Sequence, residues 1–164
     1  SIDLDMAVDA EVIEAEPQDF LNLISAPVKP DAPKRTLLYV EDNAANLSLI
    51  EDVLAGRPDI LLLTARDGHS GIELARVAQP DLILMDINLP GISGMDALKI
   101  LSKDPITHHI PVVAISANAI PRDIEKGLEA GFFRYLTKPI KINEFMHTVD
   151  SALELSTQKP MRIN

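Results

Sequence analysis

Four short stretches of this chain run into residues that can do chemistry. Glu41 and Asp42 follow "TLLYV", Asp86 closes "DLILMD", Ser116 closes "PVVAIS", and Lys138 follows "FFRYLT". An apolar run that stops on a carboxylate needs a reason, because a charge beside a buried segment is costly unless it is paired or faces a ligand. Three carboxylates brought to one pocket repel one another unless protons or a cation intervene. A hard divalent cation with oxygen ligands satisfies them, and Mg²⁺ in particular takes one or two protein carboxylates together with waters and phosphate oxygens. The set therefore points to Mg²⁺ and a phosphoryl group together, with Ser116 as a hydroxyl donor and Lys138 as an ammonium for the phosphoryl oxygens.

These residues meet only if the elements that carry them are aligned. Five apolar runs alternate with five helical patterns. The first helix puts Leu47, Ile50, Val53 and Leu54 on one face. A short helix over 71–78 turns Ile72, Leu74, Ala75 and Ala78 inward, and further helices are expected over 95–103, 121–130 and 142–155. Alternation of this kind predicts an α/β domain with a parallel sheet covered on both faces, and the near-continuous apolar runs read as fully buried strands. Right-handed crossovers lead to a doubly wound, five-stranded sheet of order 2-1-3-4-5, flavodoxin-like, with five helices. Ligands of such sheets bind beyond the carboxyl ends of the strands, at the switch between strands one and three. Glu41, Asp42 and Asp86 stand there.

Composition narrows the function further. The 164 residues have a net charge of −10 and no cysteine, so disulfides and thiolate metal sites are excluded and a reducing, cytoplasmic setting is expected. No basic stripe exists to neutralise nucleic-acid phosphates, and no run approaches the roughly 20 apolar residues that span a bilayer. Direct nucleic-acid binding and membrane contact are not expected. Residues 1–34 carry eight acids against two lysines, with Pro17, Pro27, Pro30 and Pro33, and read as an acidic leader or linker. Within it, residues 1–8 alternate like a half-buried strand and 17–27 suit a short amphipathic turn. The folded domain is expected over 35–155, followed by a tail over 156–164.

"YVEDN", "LMDINLPG", "AISAN" and "YLTKP", in this order on these strand ends, closely resemble the receiver domain of two-component response regulators. The resemblance covers about residues 36–155. It implies that Asp86 is the phosphoacceptor, taking a phosphoryl group from a phosphohistidine. It also implies that Asp42 and Asp86 ligate Mg²⁺ directly, that Glu41 acts mainly through water, and that the backbone carbonyl of Asn88 completes the protein's share. Lys138 would pair with one phosphoryl oxygen and Ser116 would donate to another. Tyr135 resembles the aromatic switch that follows the hydroxyl at 116, Lys138-Pro139 matches a bond the family usually holds cis, and Asn88 and Asn118 occupy positions that tune the lifetime of the phosphorylated state. The implied partners are a histidine kinase or phosphotransfer domain as phosphodonor and a docking protein or second copy as output. The leader resembles the linker before the C-terminal receiver of a hybrid sensor histidine kinase, although no kinase motif is present in these residues.

Each residue also has an ordinary reading. Asp42 or Asn43 could cap a helix, Asp86 could initiate a turn, Ser116 could bond its local backbone, and Lys138 could be a solvated lysine. Their joint occurrence at successive strand ends favours the site. Two rivals remain at this point: a receiver-shaped docking module that is never phosphorylated, and an aspartyl-phosphate phosphatase of the haloacid dehalogenase type. The second needs an acid two residues after its nucleophile, where this chain has Asn88. The histidines at 69, 108, 109 and 147 show no metal-type spacing.

Overall fold

The computed structural model describes residues 13–14 and 34–158. Five strands, β1 (Arg35–Val40), β2 (Ile60–Ala65), β3 (Leu82–Asp86), β4 (Val112–Ser116) and β5 (Arg134–Thr137), alternate with five helices, α1 (Ala44–Leu54), α2 (Gly68–Ala78), α3 (Gly94–Lys103), α4 (Pro121–Ala130) and α5 (Ile142–Gln158). All strand pairs are parallel, in the order β2-β1-β3-β4-β5. This is the doubly wound sheet expected from the sequence.

One apolar layer joins the sheet to α1 and α5 through Tyr39, Ile50, Phe145 and Val149. The opposite layer joins it to α2 and α3 through Val40, Ile72, Met85 and Leu101. Because β1, β3 and β4 have neighbours on both edges and helices on both faces, every residue of β3 and β4 is buried. The expectation of uniformly buried strands fails at the sheet's edge: in β2, Leu61 is 48% exposed and Thr64 is exposed. An edge strand lacks a second neighbour, so its apolar residues are only partly covered.

Side-chain caps set where the helices begin. Asn43, Asp67 and Ser93 accept from the backbone N–H three residues on, starting α1, α2 and α3. α2 begins at Gly68 rather than at 71, and its last residue, Ala78, is exposed rather than inward. Gly68 and Gly71 weaken the helical pattern in sequence, yet they let α2 lie close to the sheet: a Cβ on Gly71 would stand 2.7 Å from the Val40 side chain.

The two residues Ile13–Glu14 pair in parallel with Ile140–Lys141, just after β5. A two-residue bridge has no periodicity of its own, and nothing in the acidic leader announces it. The strand expected over residues 1–8 and the turn over 17–27 lie outside the described residues. Among the described residues, no helix is long and apolar enough to cross a membrane.

Candidate functional site

The carboxyl ends of β1 and β3 lie side by side, with Val40 in register with Met85. The next residues outward are Glu41 and Asp42 on one strand and Asp86 on the other. Glu41, Asp42 and Asp86 each bring one carboxylate oxygen within 4.8 Å of the others. Glu41 and Asp86 are 1% and 3% exposed, whereas Asp42 faces solvent. An all-oxygen, acidic donor set with one open side suits a hard divalent cation that keeps part of its water.

The local sequence explains why the three acids differ. Asn43, not Asp42, caps α1 through its Oδ1, and the exposed Asp42 carboxylate stands at the rim with no bond among the described residues. Arg66 donates to the Asp42 carbonyl at 3.0 Å and fixes that backbone. Glu41 turns inward instead. Its Oε1 accepts from the Tyr39 hydroxyl at 2.9 Å and its Oε2 from the Asn43 N–H at 3.2 Å. Asp86 accepts from the Asn88 N–H at 2.9 Å through Oδ1, so the ordinary turn reading of Asp86 is true as well, and it serves to orient the carboxylate.

Lys138 follows the end of β5, and its amide donates to the Ser116 carbonyl at 2.8 Å. The Lys138-Pro139 bond is cis. Lys138 Nζ stands 3.3 Å from Asp86 Oδ2 and 3.5 Å from Glu41 Oε1, so its ammonium is a shared counter-ion and not a solvated surface charge. Burial, with the hydrogen bond and charge of Asp86, pushes Glu41 up to about 7, against the opposing pulls of Lys138 and Tyr39. The same neighbourhood pushes the Tyr39 phenol well above its usual range, first by burial and then by the negative charge of Glu41, so it remains a donor.

A raised carboxyl favours folding while it is protonated. Its contribution is full below the ordinary value of 4.5 and drains as pH rises through about 7. In metal-free buffer the parent chain should therefore lose stability between about pH 5 and about pH 8, by on the order of 2 kcal/mol from this group. Glu41→Gln should remove that slope, as read by denaturant unfolding at both pH values. Equal slopes in parent and variant would contradict the assignment.

Ser116 is 1% exposed. Its Oγ accepts from the Asn118 N–H at 2.9 Å, which leaves the hydroxyl proton free for donation elsewhere. Ser116 lines a cavity of about 180 Å³ with Asn88, Asn118, Met95, Lys126 and Tyr135. Asn118 is held by Asp123, to which its Nδ2 donates at 2.6 Å. Tyr135 also lines a second groove, of about 370 Å³, between α4, β5 and α5. It rests on Gly127, where a Cβ would stand 2.8 Å from the ring.

Glu41, Asp42, Asp86 and Lys138 thus converge in one cup, while Ser116, Asn88, Asn118 and Tyr135 surround the adjoining cavity. Sequence reasoning missed Tyr39 and Gly94. Tyr39 was legible as core only, although two residues before Glu41 on a strand is the same face. Gly94 packs so tightly that a Cβ would stand 2.6 Å from the Asp86 carbonyl oxygen.

The family model for the response regulator receiver domain matches residues 37–150. The chain is 39% identical over 119 residues to the polar-differentiation response regulator DivK of Brucella anthropi, covering 73% of this chain and 96% of that protein. The receiver domain of the sensor histidine kinase PA1611 from Pseudomonas aeruginosa, solved with a magnesium ion coordinated in its active site cleft, superposes with a TM-score of 0.67 at 30% identity, covering 74% of this chain and 98% of that one. The phosphorylated cyanobacterial phytochrome response regulator RcpA superposes with a TM-score of 0.62 at 29% identity, covering 78% and 97%.

Proposed function

This chain belongs to the response regulator receiver domain family, and from that premise we propose that it is a phosphoacceptor in a two-component phosphorelay, with Asp86 as the accepting residue and Mg²⁺ as its cofactor. The observation that carries this reading is the cup itself: a buried Asp86 oriented through Oδ1, faced by Lys138 at 3.3 Å, and joined by the Glu41 and Asp42 oxygens.

In this reading an Asp86 oxygen attacks the phosphorus of a phosphohistidine on a histidine kinase or phosphotransfer domain. The P–O bond forms as the P–N bond breaks, and the electron pair returns to the imidazole. Asp42, Asp86 and the Asn88 carbonyl would hold Mg²⁺ directly and Glu41 through water. When bound, the cation supplies neutralisation of the carboxylates and of the charge on the transferring group. Lys138 then exchanges its contact with Asp86 for a phosphoryl oxygen, and Ser116 donates its free proton to another. Catalysis here is positioning and charge compensation.

The adjoining cavity gives the switch its space. In this reading, drawing Ser116 toward the phosphoryl group opens room beside it for Tyr135, and the lining of both spaces by Tyr135 supports that role. Leu128, which lines the groove with Tyr135, is 45% exposed. That face is the proposed output surface for a docking protein or a second copy of the chain, read out as a partner affinity that changes with phosphorylation. The likeness to the receiver of a sensor histidine kinase supports a place in a hybrid kinase.

Mg²⁺ titration separates this reading from a docking module that is never phosphorylated. We expect calorimetric binding of Mg²⁺ to the parent chain, weakened at least about 10-fold by Asp42→Asn. No binding by the parent chain would favour the docking module.

A further inference from the structure

Tyr39 is the one fully buried tyrosine, in the middle of the sheet, and its hydroxyl is spent on a single acceptor, Glu41 Oε1 at 2.9 Å. Packing alone would be served by phenylalanine. A hydroxyl placed here costs desolvation unless its bond matters. Strand periodicity puts Tyr39 and Glu41 on the same face, so the phenol acts as a strut from inside the core. The other carboxylate oxygen is held by the Asn43 N–H at 3.2 Å, and that amide is itself fixed because Asn43 caps α1. Both oxygens of Glu41 are therefore tied to rigid elements, while the Asp42 carboxylate is exposed at the rim.

We infer that Tyr39 is a positioning residue that determines which divalent cation the site prefers, by holding the Glu41 carboxylate back from direct ligation. The inference rests on the cation reading proposed above. Mg²⁺ demands near-ideal octahedral geometry, dehydrates reluctantly and is served by one or two carboxylates with waters between. Ca²⁺ is larger, accepts six to eight oxygens and gains from a third carboxylate that can swing in. A pinned Glu41 suits the first ion, and a released one suits the second.

The test is a titration of the whole chain with Mg²⁺ alone and with Ca²⁺ alone, for the parent, Tyr39→Phe, Glu41→Gln and the double variant. Tyr39→Phe keeps the buried ring, and an unchanged circular dichroism spectrum certifies the fold. The expected result is a Ca²⁺-to-Mg²⁺ affinity ratio that rises roughly 10-fold in Tyr39→Phe, the scale on which supporting hydrogen bonds act at metal sites. That rise should vanish when Glu41→Gln is already present, because the coupling runs through the carboxylate. Two results overturn the inference while leaving the cation site standing: both affinities shifting by the same factor, or the ratio rising equally with Glu41→Gln in place. Failure of the parent chain to bind either ion would overturn the inference together with the reading beneath it.

Discussion

Lys138→Ala should take up phosphoryl groups roughly 10²- to 10³-fold more slowly than the parent chain, the usual effect of deleting one donor aimed at developing charge, and yet should bind Mg²⁺ more tightly. The opposite signs follow from one geometry. In the resting site the ammonium stands 3.3 Å from Asp86 and 3.5 Å from Glu41, so it competes with any other cation for the same oxygens. Its removal leaves two buried carboxylates without their counter-ion, which costs several kcal/mol in a buried pair. Glu41, already raised by burial and by Asp86, takes up a proton and softens that loss. Mg²⁺ should then restore more stability to the variant than to the parent chain. Stopped-flow uptake from a small-molecule phosphodonor, paired with calorimetric Mg²⁺ titration, reads both effects. Uptake at the parental rate would remove Lys138 from the mechanism, and weakened Mg²⁺ binding would mean that its charge organises the cup and does not compete within it.

Gly94→Ala is the second large effect, and it acts on the frame beneath the site. α3 starts where its backbone meets the end of β3: the Gly94 N–H donates to the Ile87 carbonyl at 2.9 Å. A Cβ at this position would stand 2.6 Å from the Asp86 carbonyl oxygen and 2.8 Å from the Ile87 Cα. Both are backbone atoms of the segment that aims Asp86, so neither can yield as a side-chain tip would. We expect destabilisation of about 2–4 kcal/mol, the range for strain and overpacking in a rigid interior, together with weakened Mg²⁺ binding as Asp86 is displaced. Gly91→Ala is the contrasting case. Gly91 has a φ of +76° and open space where a Cβ would go, so only the left-handed backbone is penalised, by about 1–2 kcal/mol. Thermal unfolding of the two variants should therefore rank Gly94→Ala well below Gly91→Ala, and the reverse order would contradict the packing account.

The comparison of these glycines shows where sequence reasoning stops. Gly91 is legible because Pro90-Gly91 is turn chemistry, a property of neighbours along the chain. Gly94 is invisible in that way, since its requirement comes from a strand end packed against a helix start. The sheet order was legible because apolar runs and helical periods alternate without interruption. Partial exposure of β2 was not, since "ILLLTA" reads the same at an edge as in the centre. In "EDN" the residue types announced both a cap and a site, and the structure divides them: Asn43 caps, Asp42 faces the rim, and Glu41 turns inward to Tyr39. Ser116 likewise keeps its ordinary local bond, as an acceptor from Asn118, with its proton still available. Tyr39 hid within the core because burial explains an aromatic on a strand completely until its hydroxyl partner is seen.

Intact-mass spectrometry after incubation with acetyl phosphate asks whether Asp86 accepts a phosphoryl group in a cation-dependent site. The expected result is one added phosphoryl group on the parent chain in Mg²⁺, none in excess chelator, and none on Asp86→Asn under either condition. An adduct that persists in Asp86→Asn, or a parent chain that stays unmodified in Mg²⁺ even with rapid quenching, would contradict it.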